Sequence, residues 1–158
     1  LRGSEYDVLT VHRAENTDNP EKFKEIVSFV NEVSEGKKIL FPMHPRTKNI
    51  YSELSAEFSE NIRIIEPLSY FDLILLLKNS NLLLTDSGGM QKEAYWLKVP
   101  CITLREETEW TETVDSGWNV LYGDYTGTHE VKDAAGLLYG DGNAAEKIIS
   151  ILGNCFAE

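Results

Sequence analysis

Short apolar runs alternate with amphipathic stretches along the chain, and this alternation predicts a regular succession of strands and helices. The clearest helix follows Asn19 and Pro20, a pair typical of a helix start, and its apolar residues recur at helical spacing from Phe23 to Val33. Six apolar runs predict strands at 6–11, 38–43, 62–65, 82–85, 101–104 and 119–122. The segments between and after them predict helices at 20–35, 47–59, 70–79, 89–97, 109–116 and 143–152.

Repeated strand–helix units with nearly continuous apolar strands indicate a parallel sheet that is covered on both faces. Right-handed crossovers then give an α/β fold, a Rossmann-like three-layer sandwich with a parallel sheet. The length of 158 residues predicts one domain over 1–158. Within the glycine-rich stretch 123–142, the segment Thr126-Gly127-Thr128-His129 is predicted to be a loop.

Composition narrows the classes of partner. The chain has 26 acidic and 15 basic residues, so nucleic acid is not expected, and an anionic ligand requires a local site built against the mean charge. No apolar run approaches the ~18 residues of a membrane span, and the polar start does not predict a signal peptide. Cys101 and Cys155 form no CxxC, so neither a metal nor a disulfide framework is expected, and a cytoplasmic location is predicted.

Polar clusters follow four of the predicted strands. They are His12-Arg13-Ala14-Glu15-Asn16, His44-Pro45-Arg46-Thr47-Lys48, Asp86-Ser87-Gly88-Gly89 and Arg105-Glu106-Glu107-Thr108-Glu109-Trp110. Because an open parallel sheet binds ligands beyond the carboxyl ends of its strands, these clusters predict one binding edge.

The Ser87-Gly88-Gly89 turn opens a predicted helix, where free N–H groups and the helix dipole favour a phosphate. Glu93, further along that helix, is a candidate for two ribose hydroxyls. The alternative is a tight turn in which Ser87 caps the helix and Glu93 is merely solvated.

Three further side chains are candidates for work on a phosphate. His12 follows a buried strand and is predicted either to hold charge as a leaving group departs or to pack beneath a loop. His44 has a similar place between two prolines, and Arg105 is a candidate phosphate clamp. The sequence has no GxGxxG after the first strand, no P-loop and no GxSxG.

Together, the His12–Asn16, Thr85–Ala94 and Arg105–Trp110 segments resemble the non-hydrolysing UDP-N-acetylglucosamine 2-epimerase family. The segments 67–71 and 139–146 share the resemblance, which covers nearly the whole chain in order. It implies a two-domain glycosyltransferase-B (GT-B) architecture, of which this chain resembles the C-terminal, UDP-binding half.

The resemblance also implies roles for individual residues. Ser87 and Gly88 would hold the diphosphate, Glu93 the ribose, and the backbone near Phe71 the uracil, while His12 would be catalytic beside the phosphates. The remaining residues that it predicts at the UDP are Arg13, Gly89 and Arg105. His44 matches a position near a regulatory nucleotide-sugar site, from whose usual motif Arg46 departs.

The reaction that this family implies interconverts UDP-GlcNAc and UDP-ManNAc by elimination and re-addition of UDP, without a cofactor. The expected partners are UDP or a UDP-N-acetylhexosamine and a missing N-terminal domain that carries the bases, in a homodimeric parent. The chain alone is expected to bind nucleotide without turnover.

Two alternatives to this interpretation are the donor-nucleotide domain of a GT-B glycosyltransferase or hydrolysing epimerase, and a non-catalytic nucleotide-sugar sensor. Thr111 stands where the family usually has proline, and the stretch 123–139 is shorter than usual.

Overall fold

A six-stranded, fully parallel sheet forms the centre of the computed structural model, which describes residues 6–54, 57–129, 131 and 138–155. Its strand order is β3-β2-β1-β4-β5-β6. The strands are β1 (Tyr6–Thr10), β2 (Lys38–Pro42), β3 (Ile62–Ile65), β4 (Leu83–Thr85), β5 (Cys101–Thr103) and β6 (Asn119–Leu121). The predicted Rossmann-like α/β sandwich is confirmed, because this is the order in which a doubly wound sheet grows outward from its first strand.

Helices cover both faces of the sheet. They are α1 (Ala14–Thr17), α2 (Pro20–Val33), α3 (Pro45–Glu53), α4 (Tyr70–Lys78), α5 (Gly88–Leu97), α6 (Thr111–Asp115) and α7 (Ala144–Cys155). The apolar faces of α2 and α3 close one core with Leu9, Phe41 and Leu84, whereas α4 and α5 close a second core with Val8 and Leu83. Adjacent residues of a strand therefore serve opposite cores, as the pleat of a strand requires.

The starts that the sequence predicts for α2 and α4 are confirmed by their caps. The side chain of Asn19 accepts hydrogen bonds from the backbone nitrogens of Glu21, at 3.1 Å, and Lys22, at 3.2 Å. Ser69 caps α4 in the same way, through the backbone nitrogen of Asp72 at 3.3 Å. Each cap satisfies N–H groups that have no partner within the helix.

The helix predicted at 47–59 is wrong at its end, because α3 stops at Glu53 and Leu54 is already extended. The predicted helix extended to residue 59 because Phe58 fits its apolar spacing. Phe58 is apolar for another reason, since it lies outside the helix and packs its ring against those of Phe41 and Tyr51. The short helix α1 was not predicted, since four residues are too few to show a period.

The loop predicted at 126–129 is confirmed, and a short 3-10 helix precedes it at Tyr122–Asp124. Residues 130 and 132–137 lie outside the described part of the chain. Tyr139 packs its ring against those of Tyr95 and Trp96. Beyond it, α7 presents Ile148, Ile149, Ile151 and Leu152 at the surface, each at least half exposed.

Candidate functional site

The strand order turns over between β1 and β4, which are parallel neighbours paired from Val8 with Leu83 to Thr10 with Thr85. The chain winds from β1 towards β2 and β3, and from β4 towards β5 and β6, so the connections leave this point in opposite directions. They leave a crevice at the carboxyl ends of the two central strands, which is where doubly wound sheets bind ligands. The loops beginning at His12 and Asp86 both lie there.

The side chain of Asp86 ties these two loops together. Asp86 is fully buried, and its carboxylate accepts hydrogen bonds from the backbone nitrogens of His12, at 3.0 Å, and Arg13, at 2.9 Å. The side-chain amide of Asn16 donates to the same carboxylate at 3.1 Å and to the carbonyl of Leu104 at the end of β5, also at 3.1 Å. One carboxylate thereby fixes the loop after β1 against β4 and β5.

The first turn of α5 has the form expected of an anion site. The Ser87 hydroxyl caps the helix by accepting from the backbone nitrogen of Met90 at 3.4 Å. Gly89 is exposed, and the nearest atom to a Cβ placed there would be Ser87 Oγ, at 3.9 Å. The space above the helix N-terminus is therefore open to a ligand, and N–H groups and the helix dipole point into it.

Gly88 is required for a different reason. A Cβ at this position would lie 2.9 Å from Nε1 of Trp110 and 3.5 Å from Nη2 of Arg13. The ammonium of Lys92 also lies over the Trp110 ring, 3.7 Å from its centroid. The glycine pair thus combines a packing requirement at Gly88 with an open approach at Gly89.

Arg105 is engaged by two carboxylates. Its Nε donates to Glu15 at 2.5 Å, and its Nη1 donates to Glu109 at 2.9 Å, while its side chain is only 7% exposed. These bonds raise the pKa of Arg105 and hold that of Glu109 at about 2. The role of phosphate clamp stays a prediction for Arg105, because a phosphate would have to replace one of these carboxylates.

Arg13 lies nearer to the turn. Its Nη1 is 4.0 Å from Glu109, and its Nη2 is 3.5 Å from the position that a Cβ would take at Gly88. Arg13 therefore brings positive charge to the helix N-terminus, as the predicted binding of UDP requires.

Glu93 and Phe71 are brought together by the packing of α4 on α5. The hydroxyl of Tyr70 donates to Glu93 at 2.7 Å, and this bond raises the pKa of Tyr70. Phe71 follows Tyr70, with the two ring centroids 5.6 Å apart, and is 81% exposed. The residues predicted at the ribose and the uracil therefore share one surface.

The two histidines predicted at this edge are neighbours, with ring centroids 5.8 Å apart. His12 is partly exposed, and its Nδ1 lies 3.5 Å from Asp86 Oδ1. His44 caps α3, since its Nδ1 accepts from the backbone nitrogen of Arg46 at 3.1 Å. Both His44 and Arg46 are exposed, and the regulatory role predicted for them stays a prediction.

No role was predicted for Asp86, Tyr70 or Trp110. Asp86 stands in the quoted glycine motif, but its partners come from 70 to 74 residues earlier in the chain. The feature of the sequence that could have pointed to Tyr70 is its position directly after Ser69, the helix cap. In the residues that the structure describes, no group of His, Cys, Asp and Glu side chains is arranged to hold a metal ion, and no helix has the length and apolarity to cross a bilayer.

Fold and site together define a doubly wound α/β domain with an open helix N-terminus at its switch point, the arrangement that suits a phosphate-bearing ligand. The family described as UDP-N-acetylglucosamine 2-epimerase matches residues 1–153. The chain belongs to this family.

Relatives define the match further. A UDP-N-acetylglucosamine 2-epimerase of Methanocaldococcus jannaschii is 43% identical over 94% of this chain and 44% of its own length. A UDP-2,3-diacetamido-2,3-dideoxy-D-glucuronate 2-epimerase of Pseudomonas aeruginosa is 39% identical over 92% of this chain and 43% of its own length.

Among solved structures, that of the M. jannaschii enzyme in complex with UDP-GlcNAc and UDP matches 94% of this chain and 45% of its own chain. Its TM-score is 0.72 at 40% identity. The chain thus spans about half the length of the relatives that it matches.

Proposed function

We propose that this chain is the UDP-binding, C-terminal half of an epimerase that inverts C2 of a UDP-N-acetylhexosamine, with UDP-GlcNAc and UDP-ManNAc as the pair interconverted. The observation that carries the proposal is the open N-terminus of α5 at the switch point, with Arg13 and His12 beside it. The M. jannaschii structure with UDP-GlcNAc and UDP supports the ligand class.

The arrangement supports the following assignment. The diphosphate binds at the N–H groups of Gly88 and Gly89 and at the hydroxyl of Ser87, where the helix dipole and Arg13 offset its charge. The backbone N–H of Ser87 is engaged, since it donates to the hydroxyl of Thr85 at 3.0 Å. The Glu93 carboxylate accepts hydrogen bonds from the ribose hydroxyls, after its hydrogen bond from the Tyr70 hydroxyl has broken. The segment at Phe71 binds the uracil. Arg105 acts on this site by holding Glu15 and Glu109.

The chemistry divides between the two halves of the whole protein. A base from the N-terminal half removes the C2 proton, the C1–O bond breaks with its electron pair leaving on UDP, and a 2-acetamidoglycal forms. Re-addition of UDP at C1, with protonation of C2 from the opposite face, completes the inversion. The task of this chain is to stabilise the departing diphosphate, and donors fixed in advance perform it without reorganisation.

The whole protein accordingly has a GT-B architecture, and this chain forms one of its two halves. The whole protein is a homodimer, and it acts in the cytoplasm in the biosynthesis of cell-surface polysaccharides. The Pseudomonas relative acts on a diacetamido glucuronate, and its similarity makes the sugar the variable part of the substrate. The sugar contacts then come mainly from the N-terminal half.

The proposal is tested by calorimetric titration of the whole protein with UDP, with AMP as the control ligand. Gly89→Leu fills the open space above α5 with a residue that a helix accepts, so we expect UDP affinity to fall at least about tenfold, the effect of ~1.4 kcal/mol. Ser28→Leu, at a position on α2 that is also exposed, is the matched control and is expected to bind as the wild type does.

Activity is measured in the same protein with UDP-GlcNAc, by separating UDP-ManNAc from free sugar. UDP-ManNAc supports the proposed reaction, whereas release of free ManNAc indicates a hydrolysing epimerase. UDP binding with no turnover of any UDP-N-acetylhexosamine indicates a sensor. Equal UDP affinity in the two leucine variants would place the nucleotide elsewhere.

A further inference from the structure

Glu93, the residue proposed to bind the ribose, already accepts a hydrogen bond from the protein itself. The hydroxyl of Tyr70 donates to Glu93 Oε1 at 2.7 Å. Tyr70 is the first residue of α4, whereas Glu93 lies in the middle of α5, so the bond joins two helices that pack against each other. A phenol hydroxyl donates to a carboxylate as a ribose hydroxyl does, and the two donors can therefore replace each other.

We propose that the Tyr70 hydroxyl competes with the ribose for Glu93: it takes the place of a ribose hydroxyl in the free protein, and a nucleotide with ribose hydroxyls displaces it. This inference rests on the proposed function, because the contact lies where the ribose of UDP is proposed to bind. The free protein then consists of a form in which Tyr70 covers Glu93 and a form in which Glu93 is open. Since the ribose binds only to the open form, the Tyr70 contact lowers the affinity for UDP.

Tyr70 is free to turn away from Glu93. Its side chain is 57% exposed, and the neighbouring ring with which it is in edge contact, that of Phe71, is 81% exposed. Moving the phenol into solvent therefore breaks one hydrogen bond and uncovers little apolar surface. The start of α4 does not have to move, because its cap is the contact between Ser69 and the backbone nitrogen of Asp72, which does not involve the Tyr70 side chain.

Glu93, in contrast, is fixed relative to the diphosphate site. Gly89 and Glu93 are four residues apart on α5, so they lie on the same face of the helix. A nucleotide whose diphosphate is bound at Gly89 therefore holds its ribose close to Glu93. This raises the effective concentration of the ribose hydroxyls at the carboxylate, and it allows them to displace Tyr70 although the phenol is attached to the same protein.

The test is calorimetric titration of the whole protein and of its Tyr70→Phe variant with two nucleotides, UDP and 2′,3′-dideoxyuridine 5′-diphosphate, which lacks both ribose hydroxyls. Tyr70→Phe keeps the ring and removes the competing hydroxyl, so we expect the Kd of UDP to fall at least about threefold. The dideoxy nucleotide has no hydroxyl to place on Glu93 and gains nothing from the removal of Tyr70, so we expect its Kd not to fall.

Tyr125→Phe is the matched control. It also removes a tyrosine hydroxyl that donates a hydrogen bond, to the carbonyl of Gly127 at 2.9 Å, but Tyr125 packs on the core at the other face of the sheet from α4 and α5. We expect it to leave the Kd of both nucleotides unchanged. A second pair of variants tests the route of the effect: Glu93→Ala removes the shared acceptor, so adding Tyr70→Phe to Glu93→Ala is expected to change the Kd of UDP no further.

A Kd of UDP that is unchanged or higher in Tyr70→Phe would overturn the inference, since Tyr70 would then be indifferent to the ribose or would help to hold it. An equal gain in affinity for both nucleotides would overturn it as well, because the ribose hydroxyls would not be the competing groups. If the wild type binds no UDP, the proposed function fails and this inference fails with it. If UDP binds and Gly89→Leu weakens it, but Tyr70→Phe does not tighten it, this inference alone fails.

Discussion

Two buried aspartates lie at opposite ends of the two central strands, and their surroundings differ. Asp86, at the carboxyl end of β4, is bound by two backbone nitrogens and an amide. Asp7, near the amino end of β1, is 3% exposed, and its Oδ2 has no hydrogen-bond partner among the described residues. Burial raises the pKa of the Asp7 carboxyl to about 6, an effect that the nearby Lys37 only partly opposes.

Burial alone therefore does not indicate what a carboxylate does. At the carboxyl edge of the sheet, three donors from the loop after β1 and from α1 converge on Asp86, so the buried charge is compensated and connects this loop to β4. At the amino edge the charge of Asp7 is poorly compensated, so the fold carries it at a cost. The difference matches the position of the candidate site, which lies at the edge with the satisfied carboxylate.

The largest effect is expected for Asp86→Ala. The substitution leaves the nitrogens of His12 and Arg13 and the Asn16 amide without their acceptor, and each such buried donor costs about 1–3 kcal/mol. We expect the free energy of unfolding of the whole protein to fall by about 4 kcal/mol, measured by urea denaturation. A loss below about 1 kcal/mol would show that water replaces the carboxylate, and the contrast with Asp7 would disappear.

A smaller effect of opposite sign is expected for Asp7→Asn. The pKa of Asp7 is raised from 3.8 to about 6 on folding, so the wild type loses stability as the pH rises from about 4 to above 6 and the carboxyl ionises. The variant avoids this loss, and we expect it to be more stable than the wild type at pH 8 by up to about 3 kcal/mol.

The measurement for Asp7→Asn is the difference in unfolding free energy between variant and wild type from pH 4 to pH 8. Taking the difference removes the titration of all groups that the two proteins share. A difference that does not change with pH would mean that Asp7 ionises in the folded state as it does in the unfolded one.

The smallest effect on stability is expected for alanine substitutions of the two glycines at the carboxyl edge of the sheet. Gly88→Ala places a Cβ 2.9 Å from Trp110 Nε1, so the indole must shift, and we expect a loss of about 2 kcal/mol in thermal or urea unfolding. Gly89→Ala meets nothing closer than 3.9 Å and is expected to leave stability unchanged or slightly raised. Equal stability of the two variants would contradict the close packing of Trp110 on α5.

Local features of the fold could be read from the sequence because their causes are local. The strand at 62–65 and the start of α2 were predicted correctly, since an apolar run and an Asn-Pro pair contain the necessary information. The end of α3 was predicted wrongly because Phe58 is apolar for the sake of contacts with Phe41 and Tyr51 that local periodicity does not reveal.

The candidate site likewise has one part that the local sequence predicts and another part that depends on contacts between distant residues. Ser87, Gly88 and Gly89 form one continuous motif, so the open turn at the start of α5 was predictable from its sequence. The anchoring of His12 by Asp86 joins residues 74 positions apart, and the pairing of Arg105 with Glu15 joins residues 90 apart. Such contacts depend on strand order, which hydrophobic patterning does not determine.

The strand order has a consequence for how the chain assembles. Because β1 lies between β2 and β4, the strands before α4 form only one half of the sheet, β1-β2-β3, in which one edge of β1 has no strand partner. Leu83–Thr85 pair with that edge, and the next residue places the Asp86 carboxylate at the loop that begins with His12. A chain that ends between β3 and β4 would therefore lose the pairing of β1 with β4 and the anchor of this loop together.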